Sequence, residues 1–223
     1  MLEVVYQDED LVVCVKPAGV LSQDAGKGSM PQLLREQLKK DYIGVVHRLD
    51  KEVGGLMVYA LTQKAAAGLS KAIQNHDFGK MYLAVLRGVP QAREAVLKDL
   101  LFHDKNRNKT YVVDRVRKNV KEASLDYTLL QESEGCSLIK VRLHTGRTHQ
   151  IRVQFASRKL PLVGDRKYGG KMPDNHLGLW SCGLHFPHPV TGKRMEFVKL
   201  PPDEAPWSGF QLTELLTKSK IAL

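Results

Sequence analysis

Cysteine is scarce and poorly placed for cross-linking: Cys14, Cys136 and Cys182 are odd in number and far apart. A disulfide framework is therefore not expected, and a reducing cytoplasm fits best. Long apolar runs are missing too. No stretch approaches the roughly twenty residues of a bilayer span, and the first residues lack a basic segment leading into an apolar core. Neither a membrane partner nor a leader is expected. Gly26-Lys27-Gly28-Ser29 stands at the wrong spacing from Gly19 for a phosphate loop, and no strand leads into it, so a nucleotide cofactor is rejected. No Gly-x-Ser-x-Gly elbow supports hydrolase chemistry. Cys182, His185 and His188 fall three apart, which suits neither paired-Cys nor paired-His zinc patterns, so no metal is expected. Repeats, low-complexity segments and clear linkers are absent, and residues 1–223 read as one domain with two lobes.

Acidic residues are outnumbered. The net charge of +10 and a pI near 9.5 point to an anionic partner, nucleic acid being one reading and a merely basic housekeeping protein the other. The distribution is more informative than the total. Lys105–Lys121 holds Lys105, Arg107, Lys109, Arg115, Arg117, Lys118 and Lys121 against the single acid Asp114, more than half of the net charge in seventeen residues. With Tyr111 among them, this stretch reads as an RNA-contacting arm.

The centre of the chain is Val45–Ala60, two apolar residues, a polar block His47-Arg48-Leu49-Asp50, and an apolar run after Gly54-Gly55. Adjacent glycines permit a sharp return into the next strand, and loops between rigid strands are where reactive side chains tend to sit. A plain hairpin with a solvated turn has the same pattern. Around it, Val4–Tyr6 and Leu11–Val15 read as an opening hairpin closed by Lys16-Pro17-Ala18-Gly19. Ser29 is placed to cap a helix running to about Lys40, and Thr62 to cap one with a stripe at Ala65, Ala66, Leu69, Ala72 and Ile73. Lys80–Leu86 alternates as a strand. Ala123–Leu130 and Ser137–Leu143 read as a hairpin about Glu132–Gly135, leading into Thr145-Gly146-Arg147-Thr148-His149-Gln150-Ile151-Arg152. There Thr148 is the expected helix cap, aiming Arg147 from a helix start. A short helix over Phe210–Lys218 closes the chain.

Two of these stretches carry a resemblance to the RluA-type pseudouridine synthases. His47, Arg48, Leu49, Asp50, Gly55, Leu56 and Ala60 match one family motif, with Val53 and Gly54 where Thr and Ser are usual; Thr145–Arg152 matches another. Weaker matches at Lys16-Pro17, Lys80-Met81-Tyr82, Pro161–Asp165 and Leu184–Pro189 extend it to Pro201. Gln154 stands where a further His often follows. The resemblance implies an α+β pseudouridine synthase fold, a mixed but largely antiparallel sheet in two lobes around a central catalytic cleft. The small S4 RNA-binding module of many relatives is expected to be missing. It further implies isomerisation of a uridine in rRNA or tRNA to pseudouridine by a monomer needing no cofactor. Asp50 then matches the catalytic aspartate, Tyr82 the tyrosine stacking on uracil, and Arg147 the arginine that keeps the aspartate ionised, although a phosphate contact for Arg147 is the alternative. Arg48 matches the arginine that fills the space of the flipped-out base. His47, Leu49, Lys105, Arg107, Lys109, His149 and Arg152 complete the expected RNA-binding set. The carboxylate has three routes open: attack at C1′, attack at C6, or removal of the C2′ proton to give a glycal. A non-catalytic RNA-binding or ribosome-assembly factor is the competing reading. The missing Thr-Ser pair favours it, and the intact Asp50, Tyr82 and Arg147 count against it.

Overall fold

The computed structural model describes residues 1–169 and 176–217. They divide into two compact units: Met1–Lys80 with Trp180–Pro201, and Met81–Leu179 with the described residues from Pro202 onward. Both are mixed α and β, with mainly antiparallel pairing and a parallel pairing of Gly54 and Gly55 with Trp180 and Ser181. Among the described residues no helix is long and apolar enough to cross a membrane.

In the first unit, β1 (Val4–Gln7) and β2 (Leu11–Lys16) form the expected hairpin. Asp8 Oδ1 closes its turn by accepting the N–H groups of Asp10 and Leu11 at 2.8 and 2.9 Å. The sheet continues through β4 (Gly54–Ala60) and β10 (Leu179–Pro187) to β11 (Arg194–Val198), and the two-residue β3 (Gly44–Val45) also pairs with β4. All seven residues of β4 are buried, as expected of a strand covered on both faces. Leu56, Val58 and Ala60 point to one side, where Ala65, Leu69 and Ala72 of α2 (Gln63–Gln74) meet them with Leu11, Val13, Phe78, Leu184 and Phe186. Thr62 caps α2 as its position predicts, its hydroxyl accepting from Ala65 N–H at 3.1 Å. The helix expected from Ser29 to Lys40 is α1 (Met30–Leu38), stopped by Lys39 in the left-handed conformation. Ser29 occupies the cap position without capping: its hydroxyl donates to Gly26 O instead.

The second unit holds a sheet in the order β5 (Gly79–Arg87), β9 (Cys136–Leu143), β8 (Val120–Ser133), β6 (Glu94–Asp104), β7 (Lys109–Val113). The hairpin over 123–143 is there, with longer strands. The basic stretch expected as an RNA-contacting arm lies along one strand and its flanking connections. It forms the β6–β7 turn, strand β7 itself and the connection to β8. Helix α3 (Gln150–Ala156) packs Val153 onto Leu101 and Ala123. Its N-cap is His149 at φ 54°, not Thr148, and no side chain caps it. The final helix α4 is Leu212–Thr217; Lys218, where it was expected to end, lies outside the described residues.

Candidate active site

Asp50 sits on a loop whose main chain is anchored on both sides. Leu49 O accepts from the buried Ser22 hydroxyl at 2.8 Å, and Lys51 O accepts from Lys16 Nζ at 3.0 Å and from Gly19 N–H at 2.8 Å. Val53 N–H closes the turn on Asp50 O at 3.1 Å. The reversal is thus made at 50–53, ahead of the glycine pair. Gly54 and Gly55 already belong to β4, and glycine is needed there for close approach to β10. A Cβ on Gly54 would lie 2.5 Å from the Trp180 ring, and one on Gly55, at φ +116°, would lie 2.3 Å from Ser181 O. The indole therefore takes the space that a serine side chain at position 54 would need.

Lys16, before Pro17, is wholly buried, and its three protons go to Pro17 O, Val20 O and Lys51 O at 2.8, 2.7 and 3.0 Å. Burial outweighs the opposing pull of the Glu52 and Asp50 carboxylates and lowers its pKa to about 8. A lysine with every N–H bonded to main chain is a tether. His47 is also a brace: it is 6 % exposed, its ring lies against Phe78, and Nε2 accepts Val58 N–H at 3.1 Å. The proton is therefore on Nδ1, which finds no partner among the described residues. Burial, aided by the charge of Lys80, holds the His47 pKa well below 6.5, so the ring is neutral at physiological pH. Asp50 itself is half-buried, and Arg48 beside it is exposed with Nη1 donating to Gln23 Oε1 at 3.0 Å.

The second motif is in the second unit. Gln150 organises it. Its Oε1 accepts the Arg147 N–H at 3.0 Å and the Thr145 hydroxyl at 2.8 Å, and its Nε2 donates to Ser124 O on β8 at 3.1 Å. Thr145 Oγ1 in turn accepts Ser124 N–H at 2.9 Å. Arg147 is exposed, and its Nε donates to Glu122 O at 2.9 Å. Tyr82 is on β5, opposite Val141 and 5 % exposed.

Residues 10–157 match the model of the family described as RNA pseudouridylate synthase. The chain belongs to the RluA-type RNA pseudouridylate synthase family. It is 34 % identical to ribosomal large subunit pseudouridine synthase D of Zymomonas mobilis subsp. mobilis, over 91 % of this chain and 70 % of that protein. It is 35 % identical to an uncharacterized RNA pseudouridine synthase of Aquifex aeolicus, over 88 % and 68 %. Among solved structures, human RNA pseudouridylate synthase domain containing 1 superposes with a TM-score of 0.81 at 21 % identity, covering 100 % of this chain and 96 % of that one. At that identity the likeness shows a shared fold.

Within this synthase the sequence-derived residues divide by unit. His47, Arg48, Leu49 and Asp50 sit together in the first; Tyr82, Lys105, Arg107, Lys109, Arg147, His149 and Arg152 are in the second. Lys105 and Arg107 are exposed and Lys109 half-buried. Five of the residues expected to meet the RNA or its uracil are buried: His47, Leu49, Tyr82, His149 and Arg152. Arg152 makes a bidentate ion pair with Asp165, Nε and Nη2 each 2.8 Å from a carboxylate oxygen. Burial pushes the Asp165 pKa up, but the bonds and charge of Arg152 and the N–H groups of Tyr168 and Lys167 outweigh it and the net shift is down. His149 Nδ1 is 2.9 Å from the Tyr168 hydroxyl, which also accepts Thr110 N–H. Buried Gln154 donates to Asp99 at 2.7 Å.

Sequence reasoning passed over Lys16, Gln150 and Trp180 as parts of the site's support. It also missed the grouping of Asp8, Asp10 and His188, whose ligand-type atoms lie within 4.8 Å of one another. His188 Nδ1 accepts the Val190 and Thr191 N–H groups, so Nε2 carries the proton and donates to Asp8 Oδ2 at 2.9 Å. Asp8 also takes bonds from the Tyr6 hydroxyl and two N–H groups. Its lone pairs are committed to protein donors, which makes the group a structural clasp between two turns.

Proposed function

We propose that this synthase isomerises a uridine of large-subunit ribosomal RNA to pseudouridine, with Asp50 as the nucleophile. The observation that carries the reading is the anchoring of Asp50: a carboxylate that keeps access to solvent stands on a main chain pinned at 49 and at 51. A nucleophile held on such a frame loses little freedom when it attacks, and that preorganisation lowers the barrier. In the reaction the glycosidic bond from C1′ to N1 breaks, the uracil turns, a bond from C1′ to C5 forms, the C5 proton leaves, and N1 takes up a proton. Atoms and electrons balance within the nucleotide, so the chemistry calls for no cofactor. Arg48, exposed two residues before Asp50, supports base flipping, which costs a few kcal/mol in a paired or stacked RNA. Tyr82 and Arg147 are assigned to the same reaction by their motif positions, Tyr82 for the uracil ring and Arg147 for charge balance. The relatives' names supply the ribosomal substrate class.

The test is tritium release from RNA labelled at uridine C5. Asp50→Asn is expected to abolish release while binding the RNA as tightly as the wild type. A fully active Asn variant removes Asp50 from the chemistry, and a wild-type protein that binds but never releases tritium would make the chain an RNA-binding factor.

A further inference from the structure

The outer face of the second unit's sheet is built differently from its inner face. On the inner side, Leu101 and Ala123 are 3 % and 2 % exposed and pack with Val112 against Val153 of α3. Neighbouring residues along a strand point to opposite faces, so Leu100, Phe102, Tyr111 and Val113 point away from α3. Phe102 and Tyr111 are direct partners across β6 and β7, and Phe102 also faces Val120 on β8. Both rings are half-buried, and each has a cation over it: the Arg117 guanidinium is 5.1 Å from the Phe102 centroid, and Lys109 Nζ is 5.7 Å from that of Tyr111. Farther along β6 on this side, Val96 is 56 % exposed. The connection from β7 to β8 adds the exposed Arg115 and Lys118.

We infer that this face is a stacking platform for single-stranded RNA, with bases on Phe102 and Tyr111 and phosphates on Lys109, Arg115, Arg117 and Lys118. The inference rests on the RNA reading above and adds which form of RNA the protein holds and where. Paired aromatics on adjacent strands, with guanidinium and ammonium groups at hand, suit unpaired bases, which expose π-faces beside a phosphate chain. A duplex keeps its base faces stacked inside and offers the platform only phosphates. A second copy of this chain would bring the same positive charge against it, which disfavours self-association here.

The experiment compares a fluorescent single-stranded 12-mer with a hairpin duplex of the same composition, both binding the full chain in solution. Changing Phe102→Leu and Tyr111→Leu together keeps an apolar surface and removes both rings. Single-strand affinity is expected to fall by at least about tenfold, as loss of base stacking requires, and duplex affinity to fall by less than about twofold. Arg117→Gln with Lys109→Gln should weaken both forms and reduce the salt slope by roughly two. Equal losses on the two RNA forms in the ring variant, or none, would overturn the platform. Should the double variant not fold, 4-thiouridine cross-linking of the wild type decides: adducts at Phe102 or Tyr111 support it, and adducts confined to other strands reject it. A wild-type dimer that dissociates in Phe102→Leu would assign the face to a second copy instead. The Asp50→Asn protein should bind the single strand like the wild type. If the wild type binds in this way but never forms pseudouridine, the platform stands and the enzymatic assignment falls.

Discussion

Replacing Lys16 by methionine keeps most of the stem and removes the ammonium. Lys51 O keeps its bond from Gly19 N–H, while Pro17 O and Val20 O lose the donor they have in the native protein. Two carbonyls left in this way cost about 2–6 kcal/mol together. Against that loss stands the penalty of keeping a charge out of water. Burial lowers the Lys16 pKa from 10.5 to about 8, and at 1.36 kcal/mol per unit the native protein bears roughly 3 kcal/mol at neutral pH that the variant does not. The two effects nearly offset at pH 7, leaving the variant less stable by about 1 kcal/mol. They separate on raising the pH. Folded protein gives up the Lys16 proton near pH 8 and the unfolded chain only near 10.5. Between those values the unfolded chain holds more protons, and wild-type stability rises with pH. Urea denaturation of both proteins at several values from pH 7 to 10.5 should therefore show the wild type drawing ahead by about 3 kcal/mol more, since the other titrating groups are common to both and cancel. A constant difference over that range would mean that the ammonium is not desolvated, and the tether argument would fail.

Three further outcomes follow from the geometry. Gly54→Ser restores the residue usual in the motif and is expected to destabilise by about 1–3 kcal/mol, because its Cβ would fall 2.5 Å from the Trp180 ring; a shifted tryptophan emission checks it, and pairing it with Trp180→Leu should recover most of the loss. Arg152→Met leaves the Asp165 carboxylate buried without its partner and should cost about 3–5 kcal/mol in urea denaturation. Because the folded pKa of Asp165 lies below 3.8, the ion pair's contribution is present above that pH and is lost as the pH falls through the folded value, so Asp165→Asn should show a shallower acid limb than the wild type.

Where local chemistry determines structure, the chain could be read directly. The opening hairpin, the Thr62 cap and the stripe of α2 follow from alternation, a hydroxyl and 3.6-residue spacing. The two motifs located Asp50 and Arg147 and the family that contains them. Strands β6 and β7 were hidden because their outer face is half apolar: Leu100 and Phe102 sit beside inward Leu101, which erases the period-two signal. The α3 cap was misplaced by one residue because His149 takes the left-handed conformation at the cap position and no side chain caps the helix, so the hydroxyl signal at Thr148 was not the one the chain uses. The burial of Lys16 depends on a carbonyl 35 positions away, and the use of Gly54 on an indole 126 positions away. No window of sequence contains either pair.

The clasp from Asp8 to His188 spans 180 positions, and the parallel partner of β4 is supplied by Trp180 and Ser181. On the ribosome, the half of the protein bearing Asp50 must wait for a closing strand that is made about a hundred residues after Lys80. At ordinary elongation rates that is a delay of roughly 5–20 s, during which the apolar β4 lacks one neighbour and chaperones have their opportunity.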